Sequence, residues 1–212
     1  MSELSNGEGS GPRSTPFVPA ALLIGASTGG PPVVEAILKA LPAEFHMPVA
    51  VCQHMPPGFT GPWTERLDRM CPLEVREARD GERFRRGTVY VAPIGSHMRF
   101  VRTDRVVYIS LGGEFDAPAF TPSIDCMMFS AAETFRSGTL AVLLTGLGAD
   151  GAMGLRAVRT AGGYTIVENP NTALAPSMPQ SAVDLGAAIE ISSAERIPVL
   201  VRKRAEGIMT GA

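Results

Sequence analysis

Apolar runs that stop abruptly at glycine-rich turns constrain this chain more than any other feature. The first is FVPAALLIGASTGG, Phe17 to Gly30, after which Pro31-Pro32 opens an apolar-periodic segment through Ala40. The pattern predicts a buried strand, a tight turn and a helix whose first positions tolerate proline. Ser27 sits in the turn, its hydroxyl at the strand's C-terminal end beside amides that stabilise negative charge. Two phosphate-binding readings fail here. A dinucleotide fingerprint needs a glycine where Ser27 stands, and a P-loop needs Lys then Ser/Thr where Pro31-Pro32 stand. What the turn alone leaves open is a nucleophile at Ser27 or a small polar residue in a structural turn.

The same grammar recurs downstream. Met47 to Cys52 is a second apolar run, ending in Gln53-His54, and Thr60 can cap a helix through about Met70. Leu73 to Ala78 and Thr88 to Ala92 read as short strands, Arg99 to Ser110 as a hairpin around Thr103-Asp104, and Leu111 to Phe120 as an irregular loop. A helix over Pro122 to Phe135 leads to Thr139–Thr145, TLAVLLT, the most apolar strand of all. It ends in a second glycine turn, Gly146-Leu147-Gly148-Ala149-Asp150-Gly151, which enters a helix closed by Gly162-Gly163. A strand at Tyr164 to Val167, a proline-rich loop over Asn169 to Pro179, and helices near Gln180 to Leu185 and Ala194 to Ala205 complete the pattern. Strands alternating with helices predict an α/β fold. Its doubly wound, mostly parallel sheet is flanked by helices, with a small antiparallel insertion around 73–110.

Composition excludes several classes. At 212 residues, 45% hydrophobic and 19% charged, the chain suits one sizeable globular core. A net charge of -2 supplies no basic excess for nucleic acid. Cys52, Cys71 and Cys126 are too scattered for a disulfide framework or a zinc site, and no cluster suggests a cofactor or metal. Residues 1–16 are Ser/Gly/Pro-rich without an apolar core, a flexible leader or linker rather than a signal peptide, and residues 17–212 form the predicted folded unit. No run is long enough to span a bilayer, so no membrane insertion and a cytoplasmic location are expected.

Parallel sheets place ligands in a crevice at the strands' carboxyl ends. Ser27, His54 and Asp150 follow three apolar strands at that edge, where a nucleophile, a base and an orienting carboxylate would converge. His46 precedes its strand, and His97 falls in the inserted region, where a structural role fits better. Asp125 lies inside a helix, and Asp80 and Asp116 in loops. Asp150 also reads as an N-cap, and both roles can coexist. Cys52 inside an apolar strand reads as core packing, and Met55, Met98 and Met178 as adaptable packing around the crevice that could also fit a receptor helix.

These residues carry a resemblance. IGASTGG at Ile24, QHMPPGFT at Gln53, Asp80-Gly81-Glu82, Ala92-Pro93 with His97-Met98, PSID at Pro122, LTGLGADG at Leu144 and Met178-Pro179 resemble, in order from about residue 20 to 192, the catalytic domain of the chemotaxis protein-glutamate methylesterases. Each motif is weak alone; seven in order are highly specific. The resemblance implies a doubly wound parallel sheet and a Ser/His/Asp triad at Ser27, His54 and Asp150. It also implies hydrolysis of glutamyl methyl esters on the cytoplasmic helices of methylated chemoreceptors, with deamidation of receptor glutamines in some members. The backbone amides of Thr28 and Leu147, in the two glycine turns, are the candidates for the oxyanion hole.

Two departures stand out. The family usually begins with a receiver domain, and residues 1–16 are too short to form one. Phe120-Thr121 precede Pro122 where many relatives carry a basic residue, which places the usual receptor contact in doubt. A catalytically weak receptor-docking module and a small-molecule serine esterase are the competing readings. The intact set of three polar residues argues against the first, and their order in the chain against the second.

Overall fold

The computed structural model describes residues 17–112 and 120–207. The leader expected at 1–16 and most of the loop expected over 111–120, Asp116 included, lie outside the described residues. Seven strands form one sheet: β1 (Ala21–Ala26), β2 (Val49–Gln53), β3 (Glu74–Glu77), β4 (Thr88–Val91), β7 (Thr139–Leu143), β8 (Tyr164–Glu168) and β9 (Glu190–Ser192). Their order is β3-β4-β2-β1-β7-β8-β9, and every neighbouring pair is parallel. The remaining strands, β5 (Met98–Thr103) and β6 (Val106–Leu111), make a separate antiparallel hairpin. The antiparallel portion is thus narrower than 73–110, because β3 and β4 join the main sheet.

Helices α1 (Gly30–Ala40), α2 (Thr60–Met70) and α6 (Ile197–Ala205) cover one face; α3 (Ile124–Phe135), α4 (Ala152–Thr160) and α5 (Ser177–Asp184) cover the other. The strand period of two explains why both faces are apolar. Leu22 and Ile24 of β1 pack with Ile37, Trp63, Leu67 and Val201, while Leu23 packs on the side of Met127, Leu155 and Met178. Among the described residues, no helix is long and apolar enough to cross a membrane.

Chain order reverses between β1 and β7: from β1 the sheet grows outward through β2, and then the chain returns to place β7 on the other side. Loops leaving β1 and β7 therefore diverge to opposite faces and leave a crevice between them, the switch point at which such sheets bind ligands.

Candidate active site

Ser27 follows β1, His54 follows β2, and the Thr145–Asp150 turn follows β7, so all three open at one rim. The parallel register pairs Ala26 with Gln53, and the His54 amide donates to Ala26 O at 3.0 Å, which sets Ser27 and His54 on adjacent strand ends. The Ser27 amide donates to Thr145 O at 3.0 Å, tying the Ser27 turn to the other side of the crevice. Above Ser27 the second turn passes very close. A Cβ on Gly146 would lie 2.1 Å from Met178 Sδ and 2.6 Å from Ser27 Cβ, so only glycine fits there.

His54 Nε2 and Asp150 Oδ2 are 2.8 Å apart. With Nε2–H donating to the carboxylate, the lone pair of the neutral ring is on Nδ1. That Nδ1 is buried with no hydrogen-bond partner among the described residues. The carboxylate–imidazole link is formed; a link from the Ser27 hydroxyl to the imidazole is not. Phe120 stacks on the imidazole, its ring 4.3 Å from the His54 ring at an interplanar angle of 18°.

The cap reading of Asp150 needs a correction in its object. The helix it precedes, α4, has Gly151 at its N-cap position and so no side-chain cap from that residue. Asp150 instead caps α3: Oδ2 accepts from the Ile124 amide at 2.8 Å, and Oδ1 from the Asp125 amide at 3.0 Å and the Ser123 hydroxyl at 2.9 Å. Burial works to raise this carboxyl, but the His54 hydrogen bond and the α3 amides outweigh it and hold Asp150 below the usual carboxylate range. The helix dipole favours the same ionised form.

Asp125 reciprocates at α4, where its Oδ1 accepts from the Gly154 amide at 2.6 Å. A Cβ on Gly154 would stand 2.7 Å from Met128 Cβ, so glycine permits the approach of the two helices. Each helix is therefore capped by the acid that precedes or opens the other. Burial is the main cause that pushes Asp125 up to about 6, reinforced by the Asp150 charge and opposed by the α4 amides. A folded pKa raised from 3.8 to about 6 means that the native state holds this proton more tightly than the unfolded chain. Stability from Asp125 is full below about pH 4 and declines as pH rises to about 6, by roughly 2 kcal/mol once its partial exposure is discounted. Asp125→Asn is expected to flatten this decline. Denaturant midpoints from pH 4 to 7 for both proteins check it, and parallel profiles would contradict it.

Gln53, Ser123, Phe120 and Thr145 hold the site together, a role that the motifs containing them do not announce. Gln53 Nε2 donates to Ser27 O at 2.8 Å and His54 O at 2.9 Å, clipping the two strand ends together. Ser123 Oγ accepts from the Cys126 amide while donating to Asp150. Thr145 Oγ1 bonds Thr28 O at 3.0 Å and the Ala175 amide at 2.8 Å, locking both turns. The glutamine adjoining His54 and the serine before an apolar helix were the available signals. The Thr28 and Leu147 amides donate to no backbone carbonyl within these turns among the described residues, whereas Gly146 N is spent on Ala175 O at 2.9 Å.

The other candidates fall elsewhere. His46 is exposed at the N-terminal end of β2. His97 is buried, and its Nδ1 accepts from the Ser123 amide at 3.2 Å. Burial first, and the Arg99 charge second, lower its pKa. The Cys52 thiol, fully buried, is raised by burial and by the nearby Asp150 charge, so it stays protonated.

A serine, an imidazole and a buried carboxylate thus lie at the switch point of a parallel α/β sheet, residue types that serine hydrolases also bring together. The chain belongs to the CheB methylesterase family, whose model matches residues 22–201. It is 45% identical over 174 residues to protein-glutamate methylesterase/protein-glutamine glutaminase 3 of Geobacter sulfurreducens, covering 82% of this chain and 47% of that protein. The corresponding enzyme 2 of Pseudomonas aeruginosa is 43% identical over 185 residues, covering 87% and 52%. The chain thus spans about half the length of the curated relatives it matches. The crystal structure of the Thermotoga maritima CheB methylesterase catalytic domain superposes with a TM-score of 0.84 at 37% identity, covering 88% of this chain and 98% of that one.

Proposed function

We propose that this chain hydrolyses γ-glutamyl methyl esters on the cytoplasmic helices of chemoreceptors, with residues from 17 onward forming the catalytic unit. The observation that carries the reading is the His54–Asp150 bond, anchored on the α3 N-terminus one strand away from Ser27. Membership of a methylesterase family supplies the substrate class. Ser27 and the Thr28 and Leu147 amides complete the machinery.

In the mechanism, the Ser27 hydroxyl turns toward His54 Nδ1, a bond that apo sites often leave open until substrate arrives. Ser27 Oγ attacks the γ-carbonyl as its proton passes to Nδ1. The negative oxygen of the tetrahedral intermediate is held by the Thr28 and Leu147 amides, each such donor typically contributing roughly 2.7–4 kcal/mol. His54 then returns its proton to the methoxy oxygen, and methanol leaves. Water, deprotonated by His54, attacks the acyl-enzyme and releases glutamate and Ser27. Asp150 keeps the proton on Nε2 throughout and stabilises the imidazolium. A glutamine substrate follows the same path with ammonia leaving.

Apolar side chains ring this crevice: Leu147 is 56% exposed, Leu174 77% and Phe120 40%. Such a rim suits an amphipathic helix presenting its methylated face. Phe120 also confines the His54 ring. Phe120→Ala is expected to lower kcat about 3- to 10-fold, the worth of one stacked pair, and to raise KM for receptor. Steady-state kinetics on receptor decide it; unchanged kcat would remove Phe120 from the positioning of His54. The reading as a whole is tested by methanol release from methylated receptor set against hydrolysis of a small chromogenic ester. Activity on the ester alone would favour a small-molecule esterase, and activity on neither a docking module.

A further inference from the structure

At the rim opposite Ser27, beside Ala20 and Pro48 where β1 and β2 begin, lies a cleft of about 470 Å³. Five arginines line it: Arg83, Arg85 and Arg86 from the segment before β4, and Arg102 and Arg105 from the β5–β6 hairpin. Among the described residues, no acidic side chain lines it. Among the described residues, none of the five makes an ion pair, whereas Arg66, Arg76 and Arg204 elsewhere each find a carboxylate. The chain as a whole carries a net charge of -2, so this concentration of positive charge is local.

The backbone that presents these arginines is held in place. The buried Tyr90 hydroxyl donates to Arg83 O at 2.9 Å and accepts from the Arg85 amide at 3.2 Å. The Phe84 amide donates to Val107 O at 2.9 Å, and the Phe84 ring packs 4.7 Å from Phe100 and 5.9 Å from Phe135. On the far side, Arg102 Nη2 donates to Thr134 O at 2.8 Å, and its guanidinium lies 5.9 Å from the Phe135 ring centre. Arginine forks converging from two elements around a compact, partly aromatic hollow match the geometry of clustered phosphate oxygens, which they bind bidentately. A long acidic chain would call for a stripe of charge instead. The volume falls within the range of small-molecule sites.

We propose that this cleft binds a small polyphosphate anion, either as inorganic polyphosphate or as the phosphate chain of a nucleotide whose base rests against the Phe135 ring. Calorimetric titration of the whole chain with inorganic triphosphate and, separately, with ATP tests it. One-to-one binding is expected, weakened by added salt and lowered at least about tenfold by the double substitution Arg85→Ala/Arg105→Ala. The double substitution Arg69→Ala/Arg156→Ala, which removes the same charge from helices outside the cleft, is expected to leave it unchanged. Tighter binding of ATP than of triphosphate assigns the nucleotide, and equal binding the inorganic anion; both support the site. Binding of neither probe overturns the proposal. So does an equal loss in the two double variants, or a polyglutamate peptide that binds where triphosphate does not.

Discussion

Ser27→Ala protein is expected to fold as the parent does and to release no methanol from methylated receptor above about one part in 10⁶ of the parent rate, the usual consequence of removing a triad nucleophile. The two halves of this expectation have separate physical grounds. Ser27 is 8% exposed, and its hydroxyl makes no hydrogen bond among the described residues, so no buried partner is orphaned by its loss. What the turn requires of residue 27 is small size, since the Cβ site of Gly146 lies only 2.6 Å from Ser27 Cβ; alanine meets that requirement. Stability is expected within about 0.5 kcal/mol of the parent. The chemistry, by contrast, depends on Oγ, and the neighbouring Cys52 thiol cannot take its place, being buried in β2 and held protonated. Methanol release and thermal unfolding measured on the same preparation check both halves. Turnover near the parent rate would remove Ser27 from the mechanism.

Asp150→Asn is expected to lose turnover and stability together. The carboxylate receives four donors: His54 Nε2–H, the Ser123 hydroxyl, and the amides of Ile124 and Asp125. Asparagine offers one acceptor oxygen, so in either orientation its NH2 faces donors already fixed by α3. Each group left unsatisfied costs about 1–3 kcal/mol. Turning the amide toward His54 would also favour the tautomer with the proton on Nδ1, leaving the ring unable to take the Ser27 proton. A loss on the order of 10⁴ in kcat follows. Kinetics and denaturant unfolding separate the roles. A stability loss with full turnover would make Asp150 a cap of α3 and nothing more. The lowered pKa of Asp150 gives the matching pH dependence: its stabilisation is present above its unfolded value of 3.8 and is lost as pH falls through the lower folded value. Asp125 acts in the adjoining window above pH 4 with the opposite sign, so the two acids of the crossed caps are separable by pH.

Much of the fold was legible because its signals are local. A run such as Thr139–Leu143 must be buried on both faces wherever it lies, and glycines after β1 and β7 announce a chain that turns sharply into a helix. The burial of all five β7 residues follows from their chemistry alone. The strand-end rule then selected Ser27, His54 and Asp150 without coordinates, since a parallel sheet gathers its carboxyl ends at one rim. The pairing of β3 and β4 was less legible. Both are four-residue strands with short flanks, and nothing in Glu74–Glu77 says whether its neighbour runs parallel or antiparallel.

Residue types and their spacing determined the alternation of strand and helix, the chemistry present at each strand end, and thereby the class of reaction within reach. Which groups actually touch depended on contacts between residues well separated in the chain: Asp150 on the first turn of α3, Gln53 across to Ser27, Phe120 over His54, five arginines around one hollow. A carboxylate next to a glycine turn looks the same in sequence whether it caps its own helix or a neighbouring one. Only the close packing of α3 on α4, which brings the α3 amides within hydrogen-bonding reach, makes the choice.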